Sequence, residues 1–244
     1  MQIFGLIGHP LSHSFSKRFF EEKFLKEKLS EHSYELFDLE TIEDVITLKE
    51  TLPNLRGLNV TIPYKTSIMN FVDEVNETAR LVGAVNTIKI VNGKWIGYNT
   101  DVIGLAETIK PLLVKAHNSA LILGTGGASK AVQFTLKSLA VPYITVSREP
   151  KMNELSYQML DQKLLSNHNL IINTTPLGMY PDVNKMPLIP FPFITSSHSF
   201  YDLIYNPEET LLLKKAKNLG CIAKNGLEML HIQAEWSWKL WNDL

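Results

Sequence analysis

The chain has 244 residues, 45% of them hydrophobic, which is enough for one large core or two modest ones. Its 24 Lys and Arg against 25 Asp and Glu leave a formal net charge of -1, which excludes recognition of nucleic acid or of a membrane surface by bulk charge. Recognition has to come from a local site. A single cysteine, Cys221, permits no intrachain disulfide, and "MQIFGLIGHPLSHS" carries no basic segment ahead of its apolar residues, so a secretory signal is not expected and the cytoplasm is the expected compartment. No apolar run reaches membrane-spanning length. Cys221, between Gly220 and Ile222, is expected to be a small buried residue rather than a nucleophile.

Short apolar runs alternate with amphipathic stretches almost from end to end, the pattern of an α/β protein with largely parallel sheets. Ile3 to Ile7 is the first expected strand, and Phe20, Phe24, Leu25 and Leu29 recur after it at helical spacing. A strand near Tyr34 to Phe37, a helix holding Ile42, Val45, Ile46 and Leu52, and a strand from Leu55 to Thr61 follow. Asn92-Gly93 between two alternating runs predicts a β-hairpin, because both residues tolerate positive φ. Val102, Leu105, Ala106, Ile109 and Leu112 then keep helical spacing, which puts Asp101 at a helix N-terminus and close to a change of unit.

A second series opens at Ser119 to Gly124. Strands are expected at "YITVS", "LIINTT" and "SFYDLIY", with a helix over Glu154 to Leu164. Asn206-Pro207-Glu208-Glu209 reads as a capped helix start and Gly220 as its end. The last segment predicts one more helix with Leu227, Leu230, Ala234 and Trp238 on its packed face. The expected units are residues 1–101 with 226–244, and residues 102–225.

Three stretches carry chemistry. "LILGTGGASKAV" follows a strand and opens a helix, the context of a dinucleotide-binding turn, with a plain strand-to-helix turn as the alternative. Ser147 and Arg148 at the end of the next strand favour a 2′-phosphate and hence NADP, whereas Glu149 opposes it and leaves NAD open. "GHPLSHSFS" sets Ser12, His13, Ser14 and Ser16 at a helix start, where hydroxyls either cap the helix or hold an anionic group. No GxSxG elbow is present, and the seven histidines (His9, His13, His32, His117, His168, His198 and His231) are scattered without metal-ligand spacing, so no metal is expected. In "NVTIPYK" an apolar strand runs into Lys65, an unusual place for a solvated lysine.

Taken in order, "GHPLSHSFS", "NVTIPYK", "GAVNTI", "NTDVIG", "LGTGGASKA", "INTTPLGM" and "NGLEMLHIQA" resemble the shikimate dehydrogenases over Gly8 to Ala234. The resemblance implies a two-lobed α/β fold: an N-terminal substrate-binding domain, a doubly wound Rossmann-type NADP-binding domain, and a C-terminal helix returning to the first lobe. It implies Lys65 and Asp101 as the catalytic pair. Ser14, Ser16, Thr61, Asn86, Tyr205 and Gln233 are implied for the substrate, and Gly124, Gly126, Gly127, Ala128, Ser147, Arg148, Thr174 and Gly226 for the cofactor. Two positions depart from the family's pattern. Lys17 replaces a usual proline after the second serine, and Ser147-Arg148-Glu149 replaces Asn-Arg-Thr.

The implied reaction is the reversible NADP-dependent reduction of 3-dehydroshikimate to shikimate, on the route to chorismate and the aromatic amino acids. Reducing a ketone requires a hydride on one face and a proton at the oxygen; lysine can give the proton or stabilise the developing charge. Lys65 and Asp101 are expected to meet across a cleft between the lobes. The partners are small molecules, with no nucleic acid and no membrane, in a monomer or homodimer. The alternatives are a quinate/shikimate dehydrogenase using NAD or NADP, or a non-catalytic sensor of a dinucleotide or shikimate-like ligand.

Overall fold

Two hydrophobic sheets, each of six strands, form from these alternating runs. The structure, a computed structural model, describes residues 1–11, 14–113 and 119–243, so Ser12, His13 and His117 lie outside the described residues. The chain divides into two units, Met1–Asp101 with Ile232–Leu244, and Val102–His231.

The first unit begins with β1 (Gln2–Gly8), α1 (Phe15–Lys26), β2 (His32–Asp38), α2 (Val45–Thr51) and β3 (Leu55–Val60). β1 pairs in parallel with both β2 and β3. After β4 (Glu74–Val75) and α3 (Glu77–Val82), β5 (Thr87–Val91) and β6 (Lys94–Tyr98) form the expected hairpin, with Asn92 at φ 51° and Gly93 at φ 77°. A two-residue turn reverses the chain, and β5 also runs antiparallel to β3. The order β2-β1-β3-β5-β6-β4 is therefore mixed rather than largely parallel.

α1 buries Ser16, Phe20 and Phe24, but Leu25 is 81% exposed because it stands one position off that stripe. Val45 is buried on α2 while its neighbour Ile46 faces solvent for the same reason. Phe20 and Phe24 pack with Phe4, Tyr34, Trp238 and Trp241 in one core cluster.

In the second unit come α4 (Asp101–Ile109, after its first residue), β7 (Ala120–Leu123), α5 (Gly127–Ser138), β8 (Tyr143–Ser147) and β9 (Glu154–Ser156). They are followed by α6 (Gln162–Asn167), β10 (Leu170–Asn173), β11 (Ser199–Asp202), α7 (Leu211–Asn218), β12 (Ile222–Lys224) and α8 (Leu227–Trp241). Every pairing is parallel, in the order β12-β11-β10-β7-β8-β9. Successive strands run outward from β7 in one direction and then in the other, the doubly wound arrangement, so the turn after β7 sits at the topological switch point. Cys221 is buried and its thiol donates to the Thr195 carbonyl.

Two expected helices are corrected. Residues 154–156 form β9 rather than opening a helix, because β8 offers them a free parallel edge, and Asp161 caps α6 only afterwards by accepting from Leu164 N. The helix expected from Asn206 starts at Leu211, capped by Thr210, whose hydroxyl accepts from Leu213 N at 3.3 Å. Gly220 does end it, at φ 76°.

α8 crosses the division between His231 and Ile232, not near Asn225. Its first turn is tied to the second unit, where Gly226 N donates to Ile204 O and Leu230 N to Gly226 O. Its packed face holds Ala234, Trp238 and Trp241 with Gln233 and Ser237, whereas Leu227 and Leu230 are only half-buried. Trp241 Nε1 donates to Ile88 O at 2.9 Å. Truncating Trp241 to Ala removes a buried ring and orphans that carbonyl; an unfolding free energy lower by about 3–5 kcal/mol is expected in urea titration.

Candidate active site

In the first unit, β3 ends at Val60 and the chain turns through Thr61 to Thr66. Thr61 N donates to Ile7 O at 2.9 Å, and Tyr64 N donates to Thr61 O. Tyr64 turns inward and its buried hydroxyl donates to Leu39 O at 2.6 Å, while Pro63 is exposed. An inward aromatic therefore plugs the turn and leaves its neighbour Lys65 half-buried. Val85 N donates to Lys65 O at 2.7 Å, fastening the turn to the strand region that precedes β5.

Lys65 Nζ lies 2.7 Å from Asp101 Oδ2. The Asp101 side chain is 12% exposed and that of Lys65 33%, so one partner is shielded and the other reaches solvent. Asp101 is the first residue of α4, where a carboxylate is favoured by the unpaired N–H groups of the helix start. Both residues belong to the first unit, so the expected meeting across a cleft between lobes is replaced by an ion pair inside one unit. The neighbours of the pair account for this. Asn86 Oδ1 accepts from Thr100 N at 2.7 Å, fixing the residue next to Asp101, and Asn86 follows Val85, the anchor of Lys65.

Asn86 is buried within a polar network. Its Nδ2 donates to Thr100 Oγ1 at 3.0 Å and to Gln233 Oε1 at 3.5 Å. Thr87 Oγ1 lies 2.9 Å from Ser237 Oγ, which accepts from Asn59 Nδ2 at 2.9 Å; Asn59 Oδ1 in turn accepts from Tyr34 OH at 2.8 Å. Burial holds the Tyr34 hydroxyl well above its ordinary pKa, and a hydrogen bond from Ser16 draws it partly back. Thr61 lies beside Gly8, where any added Cβ would meet the Thr61 methyl. Ser14 caps α1 by accepting from Lys17 N at 3.3 Å, whereas Ser16 is buried beside Tyr34. Of the residues expected at the substrate, the structure thus gathers Ser16, Asn86 and Gln233 into one network and gives Ser14 a capping bond. Tyr205 stands in the second unit, after β11, and burial raises its pKa.

The second unit carries the glycine turn. Gly124 has φ 106°, and a Cβ there would approach Thr174 Oγ1 and Thr175 Cγ2 to 2.9 Å, so only glycine fits. Gly126 caps α5, and a Cβ at Gly126 or Gly127 would meet nothing within 4 Å. The N–H groups of the first turn of this 12-residue helix therefore face open space, with Thr125 to Ala128 exposed, which fits a pyrophosphate. Thr174 Oγ1 donates to Leu123 O at 2.7 Å, bracing the turn. A Cβ on Gly226 would collide with the Leu203 carbonyl, so the start of α8 also needs glycine.

Arg148 and Glu149 are exposed at the end of β8. Ser147 is buried, its hydroxyl accepting from Glu149 N and donating to Glu149 O, each at 3.2 Å. Ser147 thus shapes the turn that presents Arg148. Tyr157 stands near this turn, its hydroxyl raised by burial and drawn back by the Arg148 charge. Tyr64, Thr100, Ser237 and Tyr157 were not foreseen as site residues. Only a polar position on the inner face of α8, visible in the spacing of Gln233 and Ser237, pointed to any of them.

Asp202, fully buried at the end of β11, accepts from Asn173 Nδ2 at 3.0 Å, Ile204 N at 3.1 Å and Thr210 Oγ1 at 2.7 Å. Burial pushes its carboxyl up to about 6, against the pull of those three hydrogen bonds.

Residues 6–88 match the family profile described as the shikimate dehydrogenase substrate binding domain. The shikimate dehydrogenase (NADP(+)) of Methanococcus aeolicus is 41% identical over 257 residues, covering 98% of this chain and 91% of that one. The crystal structure of shikimate 5-dehydrogenase from Thermus thermophilus in complex with NADP(H) and shikimate is 30% identical with a TM-score of 0.88, covering 100% of this chain and 94% of that one. Quinate dehydrogenase from Corynebacterium glutamicum in complex with NAD is 26% identical with a TM-score of 0.87, over 100% and 94% of the two chains. Among the described residues no helix is long and apolar enough to cross a membrane.

The raised carboxyl of Asp202 makes a pH prediction. Its folded pKa of about 6 lies above the ordinary 3.8, so its contribution to stability is full below 3.8 and is lost as pH rises through 6. Urea unfolding of the wild type and Asp202→Asn at about pH 4 and about pH 7 is expected to show the wild type losing stability relative to the variant as pH rises.

Proposed function

Because the chain belongs to the shikimate dehydrogenase family, we propose that it catalyses the reversible NADP-dependent reduction of 3-dehydroshikimate to shikimate, with Lys65 and Asp101 as its catalytic pair. The observation that carries this reading is the 2.7 Å Lys65–Asp101 ion pair, tied through Val85 and Thr100 to a buried amide network containing Asn86 and Gln233.

The chemistry asked of this chain is limited. NADPH, when bound by the second unit, supplies the hydride. An ammonium has three donors, and Asp101 takes one of those of Lys65. The others are available to a carbonyl or hydroxyl oxygen, where Lys65 donates a proton or holds the charge that develops as the ketone is reduced. Asp101, shielded and set at a helix start, orients the ammonium and accepts from a substrate hydroxyl. Asn86 and Gln233 offer amide groups whose orientation is set by the network around them, so they can sort ring hydroxyls by donor and acceptor. Thr61 adds a hydroxyl on the same turn as Lys65, and Ser14 and Ser16 at the start of α1 suit the substrate carboxylate. Tyr205 is the remaining substrate contact. In the second unit Gly124, Gly126, Gly127 and Ala128 cradle the pyrophosphate, Thr174 and Gly226 border it, and the turn shaped by Ser147 offers Arg148 to the 2′-phosphate. On this reading the enzyme works in the cytoplasm, as a monomer or homodimer.

Absorbance of the nicotinamide with shikimate or quinate and with NADP or NAD tests the assignment. Shikimate with NADP is expected to turn over fastest, and an enzyme fastest with quinate and NAD would refute it. Lys65→Ala is expected to fold normally and to lose about 10²–10⁴-fold in turnover. Near wild-type turnover in that variant would reduce the pair to a structural contact.

A further inference from the structure

Asp202 sets a carboxyl in a place where burial disfavours its ionised form. It is completely buried, and among the described residues no lysine or arginine pairs with it. Burying an unpaired carboxylate is costly unless its hydrogen bonds accomplish something a neutral side chain cannot. Its position is the C-terminal end of β11, and ligands of a doubly wound sheet bind at the C-terminal ends of its strands.

A carboxylate only accepts hydrogen bonds. Asn173, at the end of the neighbouring β10, must therefore turn its amide nitrogen toward Asp202 and its oxygen away. That oxygen accepts from Thr175 N at 3.0 Å and from Thr175 Oγ1 at 2.7 Å. The turn so fixed carries Thr174, whose hydroxyl braces Leu123 O beside Gly124. The same carboxylate oxygen also accepts from Ile204 N, which sets the carbonyl that receives Gly226 N at 3.1 Å, while the other oxygen takes Thr210 Oγ1. Thr175 N–H, which can only donate, asks for the same orientation, so Asp202 and Thr175 hold Asn173 from its two ends, and an amide at 202 that turned its nitrogen toward Asn173 would set donor against donor.

We infer that Asp202 is a positioning residue for the dinucleotide site: its acceptor-only carboxylate orients Asn173, and through it the Thr174–Thr175 turn against the glycine loop, while Ile204 seats Gly226. The inference rests on the second unit being the NADP-binding one. Asp202 itself touches no ligand in this account, so its loss acts on the cofactor and not on the substrate.

The test uses the full chain with Asp202→Ala and, independently, Thr175→Val, which removes the hydroxyl's bond to Asn173 in the same relay together with the one it accepts from Leu177 N. NADPH affinity is read by fluorescence titration, KM for NADP and for shikimate by steady-state kinetics, and folding by circular dichroism. Each variant is expected to bind NADPH about tenfold more weakly and to show a similar rise in KM for NADP, with KM for shikimate within about twofold of wild type. If Asp202→Ala does not fold, Thr175→Val decides alone. Wild-type NADPH affinity in a folded variant, or an equal rise in both KM values, overturns the role of Asp202. A wild-type protein that binds no NADPH overturns the cofactor assignment itself, and the inference with it.

Discussion

Asn86 is a buried amide whose donors and acceptor need partners, and the first unit is arranged around satisfying it. Its oxygen takes Thr100 N and its nitrogen meets Thr100 Oγ1 and Gln233 Oε1. Those bonds join the residue before β5, the residue before α4 and the inner face of α8, the last of them far away in the chain. Because an unmet buried amide costs more than its bonds return, these segments hold one arrangement. Lys65 and Asp101 inherit their placement from it, the first through Val85 and the second through Thr100.

The second unit solves a comparable problem with backbone conformation and one buried carboxyl. Gly124 and Gly226 are glycines for steric reasons, since each would otherwise drive a Cβ into neighbouring atoms. Gly126 and Gly127 are different: a side chain would find room there, and what glycine preserves is open approach to the helix start. Around this frame the strand-end turns are joined by Asp202 and Asn173, so hydrogen-bond polarity rather than bulk packing sets their shape.

Much of the site was legible in the chain itself. Asn92-Gly93 announced its hairpin because both positions need positive φ, and the strand-glycine-helix order announced the turn after β7 because each glycine answers a local demand. Where neighbours in space decided, local reading failed. Glu154 to Ser156 became a strand because β8 offered an edge, and α7 waited for Thr210 because that hydroxyl is also held by Asp202. Ser14 and Ser16, alike in sequence, separate into a helix cap and a buried partner of Tyr34.

The sequence by itself determined the α/β class, the doubly wound second unit, the family, and the residue types that can move a proton or cradle a phosphate. These follow from periodicity, turn chemistry and motif order, all of which act over a few neighbouring residues. Only the tertiary structure decided that Lys65 and Asp101 pair within one unit, that Tyr64 plugs the lysine's turn, and that Ser237 and Asp202 take their places in buried hydrogen-bond networks. Those are matters of which buried polar groups satisfy one another across long stretches of chain, and that is settled when the core closes and water is excluded.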